Sequence, residues 1–491
     1  MSTDGLRGRL LRALLAASVG LGAHAAAGSQ TFDVPPQPGP ARALNIDAPT
    51  ERSLPNGMRV VLAERRGVQL VTARLVVLSG SEADSPALAG LASLTAGLLT
   101  KGTRAYSATA LVRAAESLGG ALESSAGWHQ TEVAITVSTP KLDEALGLVS
   151  ETVQHPRFAP AELDRLRAQA LDELKVAYAE PGTLATLSAQ HLLYGAGAYG
   201  HPSGGTPASL QRIRRADVLA LHAAQSRPDR AVLVLAGDID AERAMRLAER
   251  HFGGWKPARG VPSSAPAPSA GSALPMPAAV IDMPQAGQAA VVLAVPVPRL
   301  GADRAAAAVL NSVLGGGFSS RLSQEIRIKR GLSYGAFSQL DARPLGGALR
   351  LVVQTKNESA AEVAGLLQGE LDRLVTTPVG DDELAARKAT LIGDFSRGVE
   401  TTGGLGAAVR SLIVAGLPSD DLRKRIDSLA AVSASDVQRF AAANFAPERR
   451  RLVVAGEAAR FAEALKATAT GLVTVPAAAL DLERRDGLRA R

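Results

Sequence analysis

Asp217-Val218, Pro228-Asp229-Arg230 and Ala231-Val-Leu-Val-Leu-Ala-Gly237-Asp238 return later in the chain as Asp436-Val437, Pro447-Glu448-Arg449 and Leu452-Val-Val-Ala-Gly456-Glu457. In both stretches Pro follows Asp by 11 residues and Gly follows it by 20, and the offset between copies is 219 throughout. Each copy reads as a helix, a turn at the proline, and an apolar strand closing on Gly and an acid. Three anchors at one offset point to a tandem duplication of one fold. The first copy closes a body at 46–260 and the second a body at 278–475. Between them, Val261-Pro-Ser-Ser-Ala-Pro-Ala-Pro-Ser-Ala-Gly-Ser-Ala-Leu-Pro275 can hold neither a helix nor a ladder for long, so 261–277 is expected to be a linker.

Within the first body the periodicities mix. Arg59–Leu62 and Leu70–Leu78 read as strands, and Thr131–Val137 alternates like a half-buried strand. Leu88–Leu99, Ser107–Leu118 and Ala161–Ala179, the last just after Pro160, carry helical spacing. Strands and helices come in blocks without strict βαβ alternation. The expected class is α+β: two tandem homologous halves, each a mostly antiparallel sheet with helices packed on one face.

The chain has 491 residues, 46% hydrophobic and 21% charged, which suits a globular protein with more than one core. Its formal charge of +7 comes from 54 basic and 47 acidic residues, scattered and without aromatic interleaving. That pattern reads as a solvated surface and gives no nucleic-acid footprint. There is no cysteine, which excludes disulfides, thiolate metal sites and a cysteine nucleophile.

Arg7, Arg9 and Arg12 precede an apolar run from Leu14 to Ala27, within which Ala23-His24-Ala25 has the small-x-small form read by signal peptidase. The run falls short of the roughly 20 residues needed to span a bilayer. Residues 1–27 are therefore expected to be a cleaved secretory signal, with the cut between Ala25 and Ala27. Residues 28–45, rich in Pro, Gly and Ala, should be an extended lead-in, and 476–491 a tail whose charged end, Asp481–Arg491, is frayed. No membrane anchor is expected, and the compartment is taken to be the periplasm.

The stretch with chemical content lies in the second body: Gly315-Gly-Gly-Phe-Ser-Ser-Arg-Leu-Ser-Gln-Glu-Ile-Arg327-Ile-Lys-Arg-Gly-Leu-Ser-Tyr334. No Gly-Lys-Ser/Thr follows the glycines, so a phosphate cradle is set aside. The stretch resembles the second-half signature of the pitrilysin/insulinase (M16) peptidases, in which an Arg precedes a Tyr by seven residues after a Gly-rich turn. Tyr199-Gly-His-Pro202 and Ala236-Gly-Asp-Ile239 also match that family. The resemblance spans both bodies and implies the LuxS/MPP-like metallohydrolase fold. It further implies catalytic and substrate-binding roles for both residues, with Arg327 bonding substrate main-chain carbonyls and Tyr334 donating to the carbonyl oxygen of the scissile bond.

In that family the first half carries His-x-x-Glu-His, two zinc ligands one helical turn apart with a general base between them. The matching frame here is Gly90-Leu-Ala-Ser93-Leu-Thr-Ala96-Gly97-Leu-Leu-Thr-Lys-Gly-Thr103. Ser93, Ala96 and Gly97 stand at the three functional positions, leaving no metal residues. Glu173, in the region of the family's third ligand, would be a relic. His129, His155, His191, His201, His222 and His251 show no metal-ligand spacing.

By resemblance, then, the chain is the zinc-free, Arg/Tyr-bearing subunit of a bacterial heterodimeric (M16B-type) enzyme. It would carry no cofactor itself, be inactive alone, and pair with a His-x-x-Glu-His subunit that holds zinc and acts on peptides. The alternatives are a non-catalytic structural scaffold and a peptide-binding homologue without a partner enzyme.

Overall fold

The computed structural model describes residues 46–257, 269–484 and 487–488. The expected signal, the lead-in and 258–268 lie outside the described residues.

Among the described residues twelve strands form two six-stranded sheets. The first contains β1 (Thr50–Ser53), β2 (Arg59–Glu64), β3 (Leu70–Val77), β4 (Glu123–Ala126), β5 (Thr131–Ser138) and β6 (Ala231–Gly237), ordered β1-β2-β6-β3-β5-β4. The second contains β7 (Ala278–Asp282), β8 (Ala289–Val297), β9 (Ala336–Asp341), β10 (Gly347–Thr355), β11 (Arg451–Gly456) and β12 (Leu472–Pro476), ordered β12-β7-β11-β8-β10-β9. Five strands of each sheet share one order. β6 runs parallel to β2 and antiparallel to β3, as β11 does to β7 and β8. Only the outer strand differs, since β1 pairs antiparallel with β2 and β12 parallel with β7.

Each repeated sequence anchor has a structural reason. Asp217 and Asp436 sit in the first turns of the helices Arg215–Gln225 and Ala434–Asn444, and reach back to the backbone N–H of Arg214 (2.7 Å) and Ser433 (2.9 Å). That contact satisfies a donor the helix leaves open. Pro228 and Pro447 open single 3-10 turns, where a missing N–H costs nothing. Gly237 and Gly456 end their strands at φ of 139° and 157°. A Cβ on Gly237 would lie 2.1 Å from the carbonyl oxygen of Leu70, and one on Gly456 2.9 Å from Cα of Ala289.

The expectation of helices on one face of each sheet is corrected by the packing. Val291, Leu293 and Val295 of β8 join their own half's core, but Ala290, Val292 and Ala294 pack against Leu184, Ala185 and Ala189 on the helix Pro181–Tyr194, contributed by the first half. The helix Thr402–Val414 of the second half reciprocates on β3 and β6. There Thr402 bonds Thr72 (2.9 Å), Arg74 donates to the Gly403 carbonyl (3.3 Å), and Arg410 pairs with Glu132 (2.8 Å). Because both faces are covered, β6 and β8 are nearly continuous apolar runs with no strict alternation.

The expected fraying is corrected for the described part of the tail, residues 485–486 and 489–491 lying outside the described residues. Glu483 pairs with Arg212 and accepts from Thr206, while Leu482 and Leu488 are buried. No helix among the described residues is long and apolar enough to cross a membrane.

Candidate active site

The helix Leu91–Leu99 starts under tight control. Buried Asp84 accepts from the N–H groups of Gly90 (3.1 Å) and Ala92 (3.1 Å), and Gly90 takes φ 89° at the N-cap. On this helix Ser93 donates to the Ser203 carbonyl (3.0 Å), Ala96 is fully buried, and a Cβ on Gly97 would meet Leu166 at 3.5 Å. Glu173 is exposed and accepts from Gln169 (2.9 Å). Among the described residues no three His, Asp or Glu side chains gather where they could hold a metal ion. Ser93, Ala96 and Gly97 offer one hydroxyl, already engaged, and do not fit zinc.

Three histidines take ordinary structural partners. His191 bonds the Gly200 carbonyl (3.0 Å), His222 that of Val153 (2.8 Å), and His251 the carboxylate of Asp143 (2.6 Å). Tyr199 is fully buried in contact with Trp128 (5.3 Å, 71° between planes) and Tyr194 (5.3 Å, 84°). Arg343, from the turn between β9 and β10, lies over Trp128 (4.3 Å) and Tyr199 (4.6 Å), so an aromatic pair of one half grips a cation of the other. Tyr199 accepts from the Leu345 N–H (3.3 Å) and its hydroxyl meets His129 Nε2.

Glu82 approaches His129 at 3.8 Å, but burial and the nearby Arg343 charge press His129 down to about 4, so this contact is not an ion pair near neutral pH. Burial pushes Glu82 up to about 7 and Asp84 up to about 8, despite the N–H groups that favour their ionised forms. A carboxyl raised on folding binds its proton more tightly in the native chain. Its contribution is complete below the unfolded value near 4.5 and is lost as pH rises through about 7. Denaturant midpoints should therefore fall from pH 5 to pH 8, Glu82 supplying on the order of 2 kcal/mol. Glu82→Gln should make that slope shallower and leave the part due to Asp84, whose raised carboxyl acts in the same direction; an unchanged slope would remove Glu82 as a contributor.

The Arg/Tyr segment has its own local logic. The helix Arg304–Gly315 ends in the Gly315–Gly317 turn, and the chain winds again through a π-helical stretch, Ser323–Ile328, that carries Arg327. Such wide turns concentrate at functional positions. The stretch stops at Gly331 (φ 64°), where the Leu332 N–H bonds the Ile326 carbonyl (2.9 Å) and the Gly331 N–H that of Arg327 (3.1 Å). This ending resembles a Schellman motif widened by one residue to match the π-helical turn, and it explains Arg-Gly-Leu: the glycine takes the left-handed position and Leu332 packs back on the core.

The neighbouring cations are paired. Arg321 binds Glu383 (2.7 Å), while Lys329 and Arg330 both bind Glu325 (3.0 Å each). Arg327 has no acidic partner among the described residues and lies 4.8 Å over the ring of Phe318. Tyr334 is 91% exposed and Phe318 62%, with Ile328 and Phe337 also at the surface. Phe318 was not singled out by sequence reasoning. Its signal was an aromatic directly after three glycines in a chain with only 3% aromatics.

Comparison with known proteins agrees with this architecture. Residues 59–201 match the family profile "Insulinase (Peptidase family M16)", and residues 212–391 match "Peptidase M16 inactive domain". The chain is 30% identical over 349 residues to an uncharacterized zinc protease of Mycobacterium leprae, covering 71% of this chain and 78% of that protein. It is also 30% identical over 362 residues to one from Mycobacterium tuberculosis, covering 74% and 82%. Among solved structures, the M16 inactive domain from Pseudomonas fluorescens superposes with a TM-score of 0.77 at 25% identity, covering 83% of this chain and 98% of that one. A protease from Helicobacter pylori shares the fold with a TM-score of 0.79 at 20% identity, covering 84% and 100%. The chain belongs to the M16 peptidase family, joining an insulinase-type first half to the family's inactive domain.

Proposed function

We propose that this chain is the zinc-free subunit of a periplasmic M16 heterodimer and lends Arg327 and Tyr334 to an active site whose metal lies on a His-x-x-Glu-His partner. The observation that carries this reading is a contrast within one chain. The helix that should grip zinc presents Ser93, Ala96 and Gly97 in settled contacts, while Arg327 is left without an acid in a segment where its neighbours are paired. A guanidinium held by an aromatic face keeps its donors for an incoming carbonyl.

When bound to the partner, zinc would supply the activated water. This chain's part is positional. Arg327 fixes substrate main-chain carbonyls, and Tyr334 donates its hydroxyl proton as a hydrogen bond to the carbonyl oxygen of the scissile bond as charge grows there. The nearly full exposure of Tyr334 suits a group that meets its partner only in an assembled chamber.

Mixing the purified chain with the expected partner and following peptide hydrolysis tests the reading. Activity should appear only in the mixture. Arg327→Ala should raise KM about tenfold or more, as expected for a charge-assisted bond to substrate. Phe318→Leu keeps bulk but removes the π face, and should shift KM the same way by about two- to fivefold. Full activity of the chain alone, or an Arg327→Ala variant with unaltered kinetics, would overturn the assignment.

A further inference from the structure

A groove of ≈650 Å³ begins at Tyr334 and runs between the face of β9–β10 and the N-terminal turns of the helix Pro181–Tyr194. Its floor is two cross-strand rows, Phe337 opposite Val352 and Gln339 opposite Arg350. Thr183, Thr186 and Leu187 form the wall, with Gln288 and Gln354 beside the floor.

Arg350 is the one charged side chain in the strand Gly347–Thr355. It donates to Gln339 Oε1 (3.2 Å) and stands 3.9 Å from Asp341. Asp341, however, is already paired with Arg343, the cation clamped by Trp128 and Tyr199. Among the described residues one carboxylate thus serves two guanidiniums, which leaves one positive charge uncompensated at the groove floor. The only acid among the lining residues is Glu180, exposed at the mouth. An uncompensated guanidinium in a half-enclosed cleft is suited to a carboxylate, through a charge-assisted bond that water there only partly screens.

We infer that this groove is a substrate subsite for a peptide carboxylate close to the bond held at Tyr334, with Arg350 as its specificity-determining residue. The inference rests on the proposed peptide-handling role, and adds a substrate class to it. Phe337 and Val352 would take the aliphatic stem of a Glu or Asp side chain, and the three glutamine amides would pair with its main chain. A side-chain carboxylate and a peptide's C-terminal carboxylate share this chemistry.

Binding to this chain alone tests it, without partner or turnover. Fluorescein-labelled extended peptides identical except for Glu or Gln at successive positions are titrated by anisotropy, alongside versions with a free or amidated C-terminus. Glu at one position should bind about tenfold tighter than Gln, and the free-acid arm shows whether the terminus serves instead. Arg350→Met should erase the difference and Arg350→Lys should retain part of it. Gln339→Glu, a surface change placing a carboxylate against Arg350, should erase it too, so the result does not depend on Arg350→Met folding. Thr183→Trp should weaken both peptides by filling the cleft. Equal binding of the acidic and amide peptides, or a preference that survives Gln339→Glu, would overturn the subsite. Hydrolysis by the mixed pair without this preference would leave the peptidase reading standing and remove the groove; the preference without hydrolysis would do the reverse.

Discussion

Tyr334→Phe should lower kcat of the reconstituted pair by about 10²–10³-fold and leave KM within a few-fold, the signature of an interaction made mainly in the transition state. The substitution removes one hydroxyl and keeps the ring. Because the side chain is 91% exposed, no large folding cost confuses the outcome. Steady-state kinetics on a fluorogenic peptide, at fixed excess of the variant over its partner, gives both constants. If kcat stays at the unsubstituted level, the phenol does not touch the reacting carbonyl, and the exposure of Tyr334 needs another account.

The second large effect concerns the fold. Gly237→Ala should destabilise the protein by about 3–5 kcal/mol, near the top of the range for single substitutions. The strand end sits at φ 139°, and the new methyl would be driven to 2.1 Å from the Leu70 carbonyl oxygen, a backbone atom that cannot step aside. Gly456→Ala, its repeat partner at φ 157°, meets Asn357 Oδ1 at 2.6 Å and Cα of Ala289 at 2.9 Å, so its cost should be smaller. Urea midpoints of the two variants check the ranking. Costs below about 1 kcal/mol for both would mean that the backbone there relaxes freely.

These two glycines also show why the architecture could be read from sequence. Residues repeat at a fixed offset where backbone geometry leaves little choice: a cap at Asp217 and Asp436, a turn opened by Pro228 and Pro447, a strand end that only glycine fits. Each is a local rule acting within a few residues. The exchange of Pro181–Tyr194 and Thr402–Val414 obeys no such rule. Both helices are apolar enough to be buried, but nothing in a helix's own sequence says which sheet it covers. The expectation of one covered face failed for that reason.

The site divides the same way. Arg327, Tyr334, Ser93, Ala96 and Gly97 stand out because they fall in recognisable frames. Phe318 under Arg327 and the imbalance around Asp341 depend on distances across turns and strands, which spacing does not encode. A lone arginine in an apolar strand was the available clue to Arg350.

The helix exchange also dictates a timetable. A chain delivered N-terminus first finishes the strands of its first sheet at Gly237, but the helix that covers the second face begins at Thr402. At synthesis rates of about 5–20 residues per second, that face waits roughly 8–30 s for its cover. The second sheet never waits, since Pro181–Tyr194 emerges ahead of every one of its strands. The first half is thus the one a holding chaperone would have to shield, and a ribosome stalled before Thr402 would leave a bare, aggregation-prone sheet behind.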